Sequence, residues 1–152
     1  MTDWRTALAQ LEALLDGCTC PVSCLANASA LICEVMDRIN WAGFYLREGD
    51  TLYLGPFQGK PACIRIPMGK GVCGTAAEKD AVTVVPDVHL FPGHIACDSA
   101  SRSEIVLPFH NGNGEVAGVL DIDSPLTDRF DASDREGLKI LTRALEKHLN
   151  AL

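Results

Sequence analysis

Residues 104–123 restrict the fold more than any other part of the chain. Two runs dominated by apolar and β-branched residues, 104–110 and 116–123, flank Asn111-Gly112-Asn113-Gly114. Asn and Gly tolerate the positive φ that tight hairpin turns need, so this segment predicts an antiparallel hairpin. A lone hairpin is marginal in water and requires a cover over its apolar face. Three amphipathic patterns offer that cover. Trp4, Ala7, Leu8, Leu11, Leu14 and Leu15 recur at helical spacing and stop at Gly17. Leu25, Ala28, Ser29, Ile32, Val35 and Met36 form a second helical stripe, after a loop at residues 18–23. A closing helix from about Asp131 carries Leu138, Leu141, Leu145 and Leu149 on one side.

The middle of the chain adds strands. Residues 40–46 and 51–56, joined by Arg47-Glu48-Gly49-Asp50, read as a second hairpin. A short strand at 63–66, a small helix at 76–79 and a β-branched strand at 81–85 follow, then an irregular stretch at 87–102. Long irregular stretches in small domains usually carry function. The order of elements predicts an α+β domain, an antiparallel sheet with helices grouped beside it, over residues 1–152 as one unit.

Charge narrows the function. Thirteen Lys and Arg against twenty Asp and Glu leave a net charge of −7. An acidic surface repels phosphate backbones, so no nucleic-acid partner is expected. No apolar run approaches the ~20 residues that span a bilayer, so no membrane role is expected either. The N-terminus lacks a basic, then apolar, export pattern, and a cytoplasmic location is expected. There the seven cysteines would be reduced, which argues against a full disulfide framework.

Two groups of residues have the types that chemistry uses. Cys63, Cys73 and Cys97 lie near glycine turns or in the irregular stretch, where a neighbouring cation such as His94 or Arg102 would turn a thiol into a nucleophile. A small buried hydrophobe is the alternative for each. Cys18, Cys20 and Cys24 resemble half of a zinc site, but no partner motif follows at the customary spacing. The second group is acidic. In Val119-Leu120-Asp121-Ile122-Asp123, strand period two puts Asp121 and Asp123 on one face, and Glu104 opens the neighbouring strand. Facing a pocket, such carboxyls hold a proton at neutral pH; Mg²⁺ ligation or a solvated strand end are the other readings. Trp41 and Tyr45, four apart, share a strand face and either fill the core or wall a pocket. Gly69-x-Gly71-x-x-Gly74 lacks the strand and acidic partner of a dinucleotide site.

Several blocks resemble the free methionine-(R)-sulfoxide reductases. These are Asn40-Trp41-Ala42-Gly43-Phe44-Tyr45, Gly55-Pro56-Phe57-Gln58-Gly59-Lys60-Pro61-Ala62-Cys63 and Gly69-Lys70-Gly71-Val72-Cys73-Gly74, followed by Gly93-His94-Ile95-Ala96-Cys97-Asp98, Ser101-Arg102-Ser103-Glu104 and Leu120-Asp121-Ile122-Asp123. The resemblance implies a GAF-like fold with a six-stranded antiparallel sheet. It implies Cys97 as the attacking thiol, Cys63 as the main resolving cysteine and Cys73 as a secondary one. Glu104, Asp121 and Asp123 would form the acidic cluster at the substrate, and Trp41, with Tyr45, the aromatic wall. No cofactor or metal is implied. The expected partners are free methionine (R)-sulfoxide, thioredoxin as reductant, and a second copy of the chain in a homodimer. GAF domains also serve as small-molecule sensors, although an acidic pocket disfavours nucleotide phosphates.

Overall fold

The computed structural model describes residues 1–94 and 99–152. Helices α1 (Trp4–Leu15) and α2 (Pro21–Val35) precede strands β1 (Trp41–Glu48), β2 (Thr51–Gly59) and β3 (Arg65–Pro67). Helix α3 (Gly71–Lys79), strand β4 (Thr83–Val85) and a 3-10 turn at Val88–Leu90 come next. Strands β5 (Ser103–His110) and β6 (Val116–Ser124) then lead to helix α4 (Ala132–Asn150). The strands build one six-stranded sheet in the order β3-β2-β1-β6-β5-β4, with neighbouring strands antiparallel. No helix among the described residues is long and apolar enough to cross a membrane.

Strand alternation divides the interior in two. Ala42 and Phe44 of β1, Ile105, Leu107 and Phe109 of β5, and Leu120 and Ile122 of β6 face one way. They pack on Leu11 and Leu15 of α1, Leu25, Ala28 and Ile32 of α2, and Leu138, Leu141 and Leu145 of α4. The other face carries Trp41, Tyr45, Val106 and Val119, which pack on Val72, Cys73, Ala76 and Ala77 of α3. One helix therefore covers the face that three helices leave open.

Local chemistry explains where elements begin. Asp3 caps α1 by accepting the Thr6 backbone N–H at 3.1 Å. Asp131 and Asp134 form a reciprocal capping box at α4, where Arg129 also donates to Asp134 at 2.9 Å. Helix α2 starts at Pro21, four residues before the expected stripe. Its first position needs no N–H, so the Cys-Thr-Cys-Pro run that reads as loop leads directly into helix. Helix α3 starts at Gly71 and not at residue 76. Gly69 and Gly71 adopt φ of 83° and 61° at its entry, and a Cβ on Gly74 would strike the Pro67 carbonyl. Glycines that suggest a loop are here the residues that admit a helix. Strand β4 begins two residues later than expected because the Ala81 N–H closes α3 on the Ala76 carbonyl at 3.2 Å. Strand β2 runs on to Gly59, where it pairs with Trp41.

Three elements meet at His110 on the rim of the sheet. Its Nε2 lies 2.7 Å from Asp80 Oδ1, just past α3, and its Nδ1 lies 2.8 Å from Glu146 Oε2 on α4. Burial alone would lower the imidazole pKa, but the two carboxylates outweigh it and the net shift is upward. A group whose folded pKa is raised adds stability that is complete below its unfolded pKa, about 6.5. That contribution disappears as pH rises through the folded value. His110→Gln should therefore melt below the parent chain by about 2–4 °C at pH 6, for a contact of about 1 kcal/mol. Thermal denaturation at pH 6, 7.5 and 9 should show this gap closing; a gap independent of pH contradicts the assignment.

Candidate active site

The pairing register of the three central strands assembles the site. On the α3 face, Trp41 of β1 lies opposite Asp123 of β6, and Asp123 lies opposite Glu104 of β5. One step along, Gly43 lies opposite Asp121, which lies opposite Val106. Period two on β6 and the hairpin register thus bring Glu104, Asp121 and Asp123 to one patch, as the sequence predicts. The patch is buried, with relative exposures of 5%, 6% and 9%, which excludes the solvated strand end.

Aromatic rings and α3 wall the patch into a pocket of about 490 Å³, part of it open to solvent. Trp41 stacks on Phe57 at 5.2 Å and on Tyr45 at 6.0 Å between centroids. Gly43 makes room for this, because a Cβ there would collide with Phe57 and the Trp41 ring. The Trp41 indole donates to the Lys60 carbonyl at 3.1 Å, and the Tyr45 hydroxyl donates to the Cys63 carbonyl at 2.9 Å. Those two bonds fold the segment around Cys63 over the aromatic wall. Gly71, Val72 and Cys73 present the first turn of α3 to the pocket, and His94 and Ser101 also line it.

Burial and crowding decide the protonation of this pocket. Desolvation pushes the Glu104 carboxyl well above its ordinary value, and the nearby Asp121 and Asp123 charges add to it. Desolvation also raises Asp121, against hydrogen bonds with Glu104, Cys73 and Asp123. The Cys73 thiol is fully buried, 3.9 Å from Glu104 Oε2, and burial followed by the Asp121 charge holds it far above the usual thiol range. Donor atoms of Cys73, Glu104 and Asp121 all lie within 4.8 Å of one another. Like charges this close oppose one another's ionisation, so the cluster holds its protons to higher pH than isolated groups would. Asp121 Oδ1 is buried with no hydrogen-bond partner among the described residues, an acceptor left available to a ligand.

The cysteines separate into distinct environments. Cys63 is disulfide-bonded, whereas Cys18, Cys20, Cys24, Cys33 and Cys73 are free. Cys97 lies outside the described residues. The expected role of His94 as a cation for Cys97 is not favoured, because burial, and then the charge on His89, lowers its pKa and leaves the ring neutral at pH 7. Among the described residues the zinc alternative at Cys18, Cys20 and Cys24 does not assemble either. Cys18 and Cys24 touch, while Cys20 is exposed at the start of α2. Ile66, Val72 and Ser101 also line the pocket, and sequence reasoning does not single them out. For Ser101 a signal exists, since it lies three residues before Glu104. For the other two none does.

Comparison with known proteins places this geometry among characterised relatives. The family model described as GAF domain matches residues 5–149. The chain is 58% identical over 138 residues to the free methionine-R-sulfoxide reductase of Escherichia coli, covering 91% of this chain and 83% of that one. It is similar to the reduced form of fRMsr of Staphylococcus aureus, at 49% identity and a TM-score of 0.94, covering 98% and 96% of the two chains. It is also similar to the free methionine-R-sulfoxide reductase of Neisseria meningitidis in complex with its substrate, at 45% identity, a TM-score of 0.93 and coverage of 97% and 89%.

The buried cluster makes a prediction about stability. An acid whose folded pKa is raised binds its proton more tightly in the fold, so its contribution is full below the unfolded pKa, about 4.3 for Glu. It then falls as pH climbs towards the folded value. Glu104→Gln removes the titration, so the variant should melt above the parent chain at pH 8, with the gap narrowing towards pH 4. Thermal denaturation across that range checks the sign; a gap that widens on acidification contradicts a raised Glu104.

Proposed function

Because the chain belongs to the GAF-domain free methionine-R-sulfoxide reductases, we propose that it reduces free L-methionine (R)-sulfoxide to L-methionine through the thiol of Cys97. The observation that carries this reading is the buried carboxyl trio Glu104–Asp121–Asp123 under the Trp41 wall. Sulfoxide reduction requires a proton at the oxygen as the thiolate attacks sulfur, and a carboxyl kept protonated at neutral pH supplies it. A free amino acid also brings an ammonium group, and an ionised member of the same cluster accepts it in a desolvated setting. Asp121 Oδ1, buried and without a hydrogen-bond partner among the described residues, is a cluster atom open to the substrate. A methionine inside a peptide has no ammonium to offer. The Trp41 and Tyr45 rings give an apolar surface for the S-methyl end.

The reaction closes in four steps. The Cys97 thiolate bonds to the sulfoxide sulfur while a carboxyl protonates the oxygen. The hydroxyl oxygen then passes from the substrate sulfur to the Cys97 sulfur as the bond between the two sulfurs breaks, so methionine departs and Cys97 is left as a sulfenic acid. The Cys63 thiol condenses with that sulfenic acid, water leaves, and a Cys63–Cys97 disulfide forms. An external dithiol of the thioredoxin class returns two electrons by exchange. The disulfide-bonded state of Cys63, with the other five described cysteines free, supports Cys63 as the resolving thiol. Cys73 is a slower substitute on this account, since its buried thiol resists ionisation.

Four outcomes test the proposal. The wild-type enzyme should consume the R epimer of free methionine sulfoxide and leave the S epimer, with thioredoxin present as reductant. Cys97→Ser should release no methionine even in a single turnover; one equivalent released by that variant removes Cys97 from the attack. Cys63→Ser should release about one methionine per chain and then stall. Asp121→Asn should lower the rate of the chemical step by about 10²–10⁴-fold while the chain stays folded. Normal single-turnover rates with a lower melting temperature would reduce Asp121 to a structural residue.

A further inference from the structure

Four cysteines take no part in the chemistry above, and two of them touch where α1 gives way to α2. Cys18 Sγ and Cys24 Sγ stand 2.9 Å apart, both as free thiols. Reaching a disulfide length of about 2.05 Å requires the sulfurs to close by less than about 1 Å. Backbone contacts hold both residues in place. The Cys18 N–H donates to the Leu15 carbonyl at 2.9 Å, and its own carbonyl lies 2.7 Å from His148 Nε2 on α4. Cys24 sits one turn into α2, its N–H on the Cys20 carbonyl at 3.1 Å. Its side chain is 1% exposed and belongs to the core between the sheet and α1, α2 and α4. Cys63 and Cys73 pack on the opposite face of the sheet.

We propose that Cys18 and Cys24 form a second, independent redox-active dithiol, a modification site at which a small hydroperoxide installs a disulfide. The half-buried Cys18 is the thiol such an oxidant reaches. Its sulfur takes the outer peroxide oxygen, the O–O bond breaks, and the co-product leaves as water or an alcohol. Cys24 sulfur then bonds to the Cys18 sulfenic sulfur and displaces hydroxide, which departs as water with the Cys24 proton. The peroxide has been reduced by two electrons and the two thiols oxidised by the same two. An external dithiol reverses the step by exchange. Burial, followed by the adjoining Cys18 thiol, pushes Cys24 up to about 11, which suits a condensing partner shielded from solvent and not the first thiol attacked. Cys20 is the rival. It is exposed at the α2 N-terminus, and the Ser23 backbone N–H, the Ser23 hydroxyl and the Val22 N–H lower its pKa. The short contact, however, belongs to Cys18 and Cys24.

Mass mapping after mild oxidation tests the assignment. The reduced wild-type chain is treated with a small molar excess of hydrogen peroxide, its free thiols are blocked with N-ethylmaleimide, and it is digested with trypsin. Residues 6–38 leave as one peptide holding Cys18, Cys20, Cys24 and Cys33. The expected product has lost two hydrogens, carries labels on Cys20 and Cys33, and fragments as a Cys18–Cys24 link. The same oxidation in denaturant should scatter the links among the four. Cys20→Ser should keep the native link and Cys18→Ser should lose it, both with sulfoxide turnover within about twofold of wild type. A link from Cys18 to Cys20 or Cys33, or labels on both Cys18 and Cys24 beside an oxidised Cys20, overturns the proposal. A folded Cys18→Ser chain that no longer turns over with thioredoxin overturns its independence, and makes the pair a recycling arm of Cys97.

Discussion

Strand β6 imposes the constraint from which the rest of the structure follows. Leu120 and Ile122 point into the three-helix core, and the same backbone points Asp121 and Asp123 the other way. The hairpin register to β5 adds Glu104 beside Asp123, and the pairing to β1 adds Trp41 on its other side. A one-residue slip would place carboxylates in the helical core and leucines in the pocket, so the apolar face of the hairpin holds the acidic face in register. Acids that repel one another are retained because the opposite side of the same strands is fully packed.

This arrangement also separates the chemistry of the thiols. Helix α3 covers the acidic face, and the chain around Cys63 returns over it through the Trp41 and Tyr45 hydrogen bonds. Thiols on this side share a low-dielectric site with carboxyls, where burial keeps Cys73 protonated. On the far side Cys24 lies among aliphatic residues, and its nearest sulfur is Cys18. Two sets of cysteines in one small chain thus sit in different electrostatic environments.

Much of this was legible in the residues, for identifiable reasons. The Asn-Gly turn, the alternation at residues 119–123 and the leucine stripe of α4 each rest on a local period, and each stands in the structure. Placing Glu104 near Asp121 and Asp123 required only the hairpin. The starts of α2 and α3 were obscured by Pro21 and by Gly69, Gly71 and Gly74, residues that break most helices and here occupy positions that need them. Ile66 and Val72 reach the pocket through the packing of α3 on the sheet, a contact between distant segments that no local pattern encodes. Cys18 and Cys24 look like metal ligands by spacing, and only the α1–α2 corner shows them as a pair.

The protonation state of the carboxyl trio tests the account most directly. Carboxyl carbon resonances of Glu104, Asp121 and Asp123, assigned through substitution and followed by NMR in the substrate-free enzyme, report each group across pH 3–9. At least one of the three is expected to remain protonated at pH 7, with coupled titrations. Three independent titrations near the ordinary carboxylate values of about 4 would contradict it.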